Sequence, residues 1–214
     1  MPRMNVQNLR NTITPSQSKR ANMAFATIPL FPNSFPYNDM LFDKHLRVGK
    51  YAGVKTRSWN WSYRGPILFY NSTKTAPRAV QAWGYKNTPD RHRVIIGIGN
   101  LVDVRDLTVD EAKQMLANFN NKPLDEIGRM VRDLKKELGC DEEEIIYEFY
   151  VFGPYIAPFR NGLFFKNLKR FKTPVPFDWQ PGPQKPQRIP LSLVSNTLKE
   201  IGIDPVKLLR TSSA

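Results

Sequence analysis

From Arg57 to Arg64 the chain reads Arg-Ser-Trp-Asn-Trp-Ser-Tyr-Arg, three large rings alternating with small polar residues between two guanidinium groups. Planar rings beside cations have the chemistry to stack bases and to hold phosphates. The competing use of Trp and Tyr is packing within a sheet. One of Trp59 and Trp61 is expected to be buried, but not both. They share a face if the strand is regular, and a bulge near Asn60 or Ser62 changes that. Trp61, in the connection to Tyr63, is the easier ring to expose. Gly65-Pro66 then makes a turn into Ile67 to Tyr70, an apolar run short enough for a buried strand.

Other reactive residue types offer less. Cys140 is the only cysteine, which excludes an intrachain disulfide and a zinc site built from thiolates. Its neighbours Asp141, Glu142, Glu143 and Glu144 disfavour a thiolate. His45 lies beside apolar positions and reads as packing. His92, between Arg91 and Arg93, reads as an exposed ring within reach of phosphate. Neither has a carboxylate at catalytic spacing. Gly97-Ile98-Gly99 lacks the third glycine and following helix of a dinucleotide loop, so it reads as a bulge or bend within a strand.

The 214 residues suffice for one domain with a sizeable core plus extensions, and a hydrophobic fraction of 41% is ordinary for a globular chain. The net charge of +13 is not ordinary and favours polyanionic partners. It is also segregated. Residues 44–93 carry eleven Lys or Arg against Asp90 alone, and residues 150–190 carry seven against Asp178. Residues 94–149 reverse the balance, with thirteen acids against seven bases. This pattern predicts a basic face and an acidic face. No run of eighteen apolar residues provides a transmembrane helix, and no apolar signal core lies near the N-terminus.

Residues 1–27, with Arg3, Arg10, Lys19 and Arg20 and no acid, read as a flexible basic arm; the same composition also suits an organellar transit peptide. Residues 28–36, broken by three prolines, are expected to lie extended against the core. A short helix over 38–48, capped by Asn38, turns Met40, Leu41 and His45 inward. Ala76 to Trp83 suits one or two helical turns. Val94 to Val104 gives the strongest strand signal. Thr108-Val109-Asp110-Glu111 is a capping box opening a helix through about Phe119. A second helix runs from Pro123 to its stop at Gly139, with Leu124, Ile127, Met130, Val131, Leu134 and Leu138 at helical spacing. Tyr147 to Phe152 reads as an aromatic strand, and Gly162 to Phe165 as another. Pro174-Val175-Pro176 begins an extended stretch, and 191–210 holds short helices broken at Gly202 and Pro205.

Three blocks carry a family resemblance. Arg57-Ser58-Trp59, Tyr63-Arg64-Gly65-Pro66 and Ile67-Leu68 resemble the first motif of the ASCH domain, a PUA-like β-barrel family. Ile95 to Thr108 resembles that family's next strand and acidic turn. Within Tyr147 to Pro176, residues Asn167 to Phe171 and Pro174 to Pro176 resemble its closing strands. The resemblance implies an α+β fold, a small mixed PUA-like barrel with peripheral helices. The domain then spans residues 28–180 with a helical insertion at about 121–139, and 181–214 form a C-terminal extension. At one position the chain departs from the family. Lys55 stands where the family has Glu, Ala52 where it has Lys, and Lys50 supplies that lysine only if two residues are inserted before Val54. Some small ASCH proteins hydrolyse acylated cytidines with a lysine and a threonine of this strand and a distant glutamate. Such chemistry needs a lysine tuned beside a carboxylate. That motif is not visible here, and Glu111, Glu148 and Asp106 are the carboxylates left to serve.

The expectation is therefore a nucleic-acid-binding module, for RNA, without catalytic residues, cofactor or metal. With Lys55 in place of a carboxylate the family's cleft becomes more basic. Lys50, Lys55, Arg57 and Arg64 would hold phosphates, and Trp59 or Trp61 would stack a base. Lys166, Lys169, Arg170 and Lys172 would extend the track. One alternative is an amidohydrolase acting on an acylated or otherwise modified cytidine nucleoside. The other is a ribosome- or polymerase-associated factor that meets a protein partner through the acidic 141–144 segment and the adjacent helix. No membrane partner is expected, and the setting is cytoplasmic, with organellar import as the alternative.

Overall fold

The computed structural model describes residues 26–43, 53–147, 158–179 and 187–211. Six strands make one sheet: β1 (Thr27–Phe35), β2 (Val54–Arg57), β3 (Gly65–Thr75), β4 (Val94–Asp106), β5 (Asn161–Pro176) and β6 (Gln187–Pro190). Their order is β2-β5-β4-β3-β1-β6. β1 and β3 run parallel, and the other neighbours are antiparallel. The fold is thus α+β with an open mixed sheet. Closure into a barrel requires the two ends to meet, yet among the described residues β2 pairs with β5 alone and β6 with β1 alone. Both edge strands are four residues long, which limits the unpaired backbone they present.

The prolines of β1 fit where only one side of the strand is paired. β6 pairs with Thr27 to Leu30, and β3 takes over from Leu30 onward. Pro29 therefore faces only β6 and Pro32 only β3, so neither missing N–H breaks a ladder on both sides. The extended stretch expected at 28–36 is in fact a strand of the sheet.

β3 is apolar without alternation because both of its faces are covered. Ile67 and Phe69 pack with Phe31, Phe42, Leu101, Leu163 and Phe165. Leu68 and Tyr70 pack with Leu30, Ile95, Ile98 and Phe171 on the other side. That second side is closed by Leu191, Val194 and Leu198, so the C-terminal residues belong to the body of the fold. The Gly97–Gly99 run lies inside β4 at a register irregularity with β5. A Cβ at Gly97 would stand 2.6 Å from the Lys169 carbonyl oxygen and 2.6 Å from Phe42. The bulge reading holds, and glycine is there to admit the Phe42 ring.

Among the described residues seven α-helices surround the sheet: α1 (Tyr37–Phe42), α2 (Pro77–Trp83), α3 (Val109–Asn120), α4 (Leu124–Leu138), α5 (Glu142–Tyr147), α6 (Ser195–Glu200) and α7 (Pro205–Thr211). The capping box of α3 is complete, with Thr108 and Glu111 satisfying each other's backbone N–H. α4 ends on Gly139 in the left-handed conformation and buries Ile127 and Val131. Each contributes about 1.5–3 kcal/mol by leaving water. Leu124 and Leu138, at its two ends, remain exposed.

Two expectations are corrected. Tyr147 does not open a strand; it ends α5, whose Ile145 and Ile146 are buried against α3 and α4. The Asp141 carboxylate accepts from the Glu144 N–H, and the acids of the first turn suit the helix dipole. Residues 148–152 lie outside the described residues. Asn38 is not a cap either. It is buried inside α1 and donates to the Tyr70 carbonyl at 2.8 Å, tying the helix to β3. His45 lies outside the described residues.

Candidate nucleic-acid interface

The edge strand β2 pairs with β5 from Val54 opposite Phe164 to Arg57 opposite Asn161. α1 brings Tyr37 over Lys55 of this strand, with the ammonium 4.8 Å from the ring centroid. Lys55 is only 3% exposed. Burial, followed by the neighbouring Arg57 charge, holds its pKa well below the ordinary lysine value, while Asp39 acts in the opposite sense. Lys55 is therefore not an open phosphate contact of the outer surface. It belongs to the wall of a cleft.

That cleft has a volume of about 240 Å³. Its described lining is Lys55, Thr56 and Arg57 of β2, Asn33 and Ser34 of β1, Tyr37 of α1, Phe119 of α3 and Phe159. Arg57 lies 4.5 Å from the Phe31 ring centroid and donates to the Thr56 and Pro32 carbonyls at 2.9 and 3.3 Å. Burial pulls its pKa down to about 10. Tyr37 moves the other way, raised by burial in spite of Arg57 and Arg78. Among the described residues the lining combines two cations, two aliphatic hydroxyls, a phenol and an amide, with no acid.

Beyond Arg57 the chain leaves the sheet, with bends at Ser58 and Trp59 and no strand until Gly65. Strand alternation therefore does not apply to the rings. Trp59 and Trp61 are both half-buried, contrary to the expectation of one buried ring. Trp61 stacks on Phe31 with centroids 6.3 Å apart and planes 15° from parallel, and Trp59 meets the same ring at 55°. Tyr63 lies 5.3 Å from Trp61 and donates its hydroxyl to the Pro66 carbonyl at 2.6 Å, bracing the Gly-Pro turn. Arg64 closes the same loop by donating to the Trp61 and Tyr63 carbonyls at 2.7 and 2.9 Å, and it lies 3.8 Å from Asp103.

The second basic run divides in the same way. Lys166 and Lys172 are exposed on β5. Lys169 donates to the Ile201 carbonyl at 3.3 Å. Arg170 reaches inward to Asp39 at 2.6 Å, so it holds the fold together. Lys50 lies outside the described residues. His92 is half-buried with its ring nitrogens 3.0 Å from the Ser72 carbonyl and 2.6 Å from Asn87, not free for phosphate.

Of the carboxylates left open for catalysis, Glu111 is buried and gripped by both guanidinium nitrogens of Arg105 at 2.7 and 2.6 Å. Asp106 is exposed at the end of β4, and Glu148 lies outside the described residues. The acidic 141–144 segment has internal partners: Glu142 meets Lys113 at 2.6 Å and Glu143 meets Arg160 at 3.3 Å. Sequence reasoning missed Asn33, Ser34, Tyr37, Phe119 and Phe159, which only the tertiary fold brings together. Thr56 could have been found from its place between Lys55 and Arg57. No helix among the described residues is long and apolar enough to cross a membrane. No protein-family model matches the chain, and no curated protein matches it.

Proposed function

We propose that the protein is a nucleic-acid-binding module for RNA, of ASCH and PUA-like type, that acts without catalysis. The observation that carries this reading is the cleft itself: cations, hydroxyls and aromatic surface, with no acid among its described lining residues. Such a lining suits an anionic, ring-bearing ligand. The half-exposed Trp61 beside it offers a stacking face, and Lys166 and Lys172 offer exposed phosphate contacts. The resemblance in residues 57–68 and the net charge of +13 support the same reading. In this reading the open sheet is a relative of the family's barrel.

Fluorescence anisotropy with single-stranded RNA, from low to moderate salt, tests it. Affinity should fall with salt at a logarithmic slope of about −0.7 per phosphate contact. Binding that does not change with salt would remove the electrostatic basis of the proposal.

One observation favours the hydrolase as a second reading. Lys55 is a buried amine with a lowered pKa, adjacent to Thr56 in the cleft. Release of acid from acylated cytidine, abolished by Lys55→Ala, would promote it. We expect no release above the uncatalysed rate, because the cleft lining has no carboxylate among the described residues.

A further inference from the structure

We propose that the cleft takes a phosphate monoester at one end of the nucleic-acid strand, held between Lys55 and Arg57. The proposal rests on the reading of the protein as an RNA-binding module and names what the cleft itself receives.

The case begins with an imbalance of charge. Arg64, Arg91, Arg93, Arg105, Arg160 and Arg170 each have a carboxylate within 4.0 Å. Lys55 and Arg57 have none among the described residues. The Lys55 ammonium faces the Tyr37 ring, and Arg57 donates to two backbone carbonyls. Two neighbouring basic groups, one of them 3% exposed, are thus held side by side without a carboxylate in direct contact among the described residues, Asp39 acting on Lys55 only from a distance. Such an arrangement is unfavourable until an anion enters from outside.

The kind of anion follows from charge and size. A phosphodiester within a strand carries one negative charge, whereas a monoester carries about −1.5 to −2 at neutral pH. Two cations match the monoester. Hydroxyl donors at Ser34 and Thr56 and the Asn33 amide add the hydrogen bonds that three terminal oxygens accept. A volume of about 240 Å³ falls below that of sites that enclose drug-sized ligands, about 300–1,000 Å³. That small volume suits an end group better than a threaded chain.

The test compares three decamers of one RNA sequence by calorimetry: one with a 5′-phosphate, one with a 3′-phosphate and one with hydroxyls at both ends. One phosphorylated end should bind about tenfold or more tighter than the hydroxyl-ended strand, as charge-assisted hydrogen bonds predict. Which end wins identifies the strand terminus that enters the cleft. Lys55→Met should abolish the preference. Arg129→Ala, which removes one positive charge from α4, should retain it. Equal binding of all three strands by the wild type overturns this proposal and leaves RNA binding standing; binding of none overturns RNA binding as well.

A second measurement needs no variant. The charged and titratable groups around Lys55 are Arg57 on its own strand and Tyr37 and Asp39 on α1, with Arg78 beside Tyr37. A dianion arriving there raises the Lys55 pKa, so at any pH where the free amine is partly deprotonated, binding of the phosphorylated strand should take up protons. That uptake is read from heats in two buffers of different ionisation enthalpy. The preference should fall as pH rises through the interval between the free and the complexed pKa of Lys55. Identical proton uptake by the phosphorylated and hydroxyl-ended strands would also overturn the proposal.

Discussion

The short helix α1 has a buried charge at each of two contacts, and the fold treats them in opposite ways. Asp39 is 2% exposed at its side chain, and its oxygens lie 2.6 Å from Arg170, 3.6 Å from Arg91 and 2.6 Å from the Asn71 amide. Those partners come from β5, the turn before β4, and β3, so the carboxylate gathers distant parts of the chain around itself. Two residues earlier, Tyr37 covers Lys55, which has Arg57 beside it and, among the described residues, no carboxylate in ion-pair contact; Asp39 acts on it only from a distance. A buried ion whose partners are complete is architecture; a buried ion whose neighbours have its own sign marks a place for something from outside. The two sites share a helix and nearly the same depth. What separates them is whether the chain supplies the counter-charge.

The largest effect expected from this contrast lies on the Asp39 side. Asp39→Ala removes the common partner of two arginines and an amide. Breaking a buried pair from one side costs about 3–5 kcal/mol, and the lower end applies because Arg170 and Arg91 both reach solvent. Urea denaturation should show that loss, and RNA affinity of the remaining folded protein should hold or rise, since a nearby negative charge is gone. A stable Asp39→Ala protein would dissolve the distinction between the two sites.

A smaller effect is expected at the rings. Trp61→Ala should weaken RNA binding by about 1–3 kcal/mol, the usual contribution of one stacked base. Trp59→Ala should act mainly on stability. Because both rings rest on Phe31, both variants should lose some melting temperature, which a fully exposed platform would not. Equal loss of stability with no loss of binding in Trp61→Ala would make the rings packing alone.

The two sites were not equally legible in the sequence. Local signals were read well: the Thr108–Glu111 capping box, the stop at Gly139 and the strand through Gly97 all depend on residues a few positions apart. The charge segregation pointed to the basic strand of Lys55 and Arg57. It could not show that Lys55 is buried, because that depends on Tyr37 arriving from another element. Nor could it separate Arg170 from Lys172, since the first turns inward to an acid 131 residues away. The barrel was expected from a resemblance of strands, but closure depends on how the two ends of the sheet meet. Tyr147 looked like a strand residue because its neighbours are aromatic. The acids before it and the burial of Ile145 and Ile146 made the segment a helix.

The smallest effect is the most discriminating, and it concerns Lys55 without any ligand. Its pKa in the folded protein is lowered from the ordinary 10.5, so between the two values the unfolded chain binds the extra proton. Stability therefore rises with pH across that interval, and below it the full cost of the buried cation is present. Lys55→Met removes the cost and keeps an unbranched chain of similar reach. The variant should be more stable than the wild type by about 1 kcal/mol near neutral pH, as replacement of poorly compensated buried charge commonly gives. The difference should shrink as pH rises toward and past 10.5, above which the wild-type amine is neutral in both states. Paired urea titrations at several pH values measure it directly. A gap that stayed constant or widened with pH would mean that Lys55 is charged and satisfied within the fold. The cleft would then have no missing counter-charge, and Lys55 would belong with Asp39 as architecture.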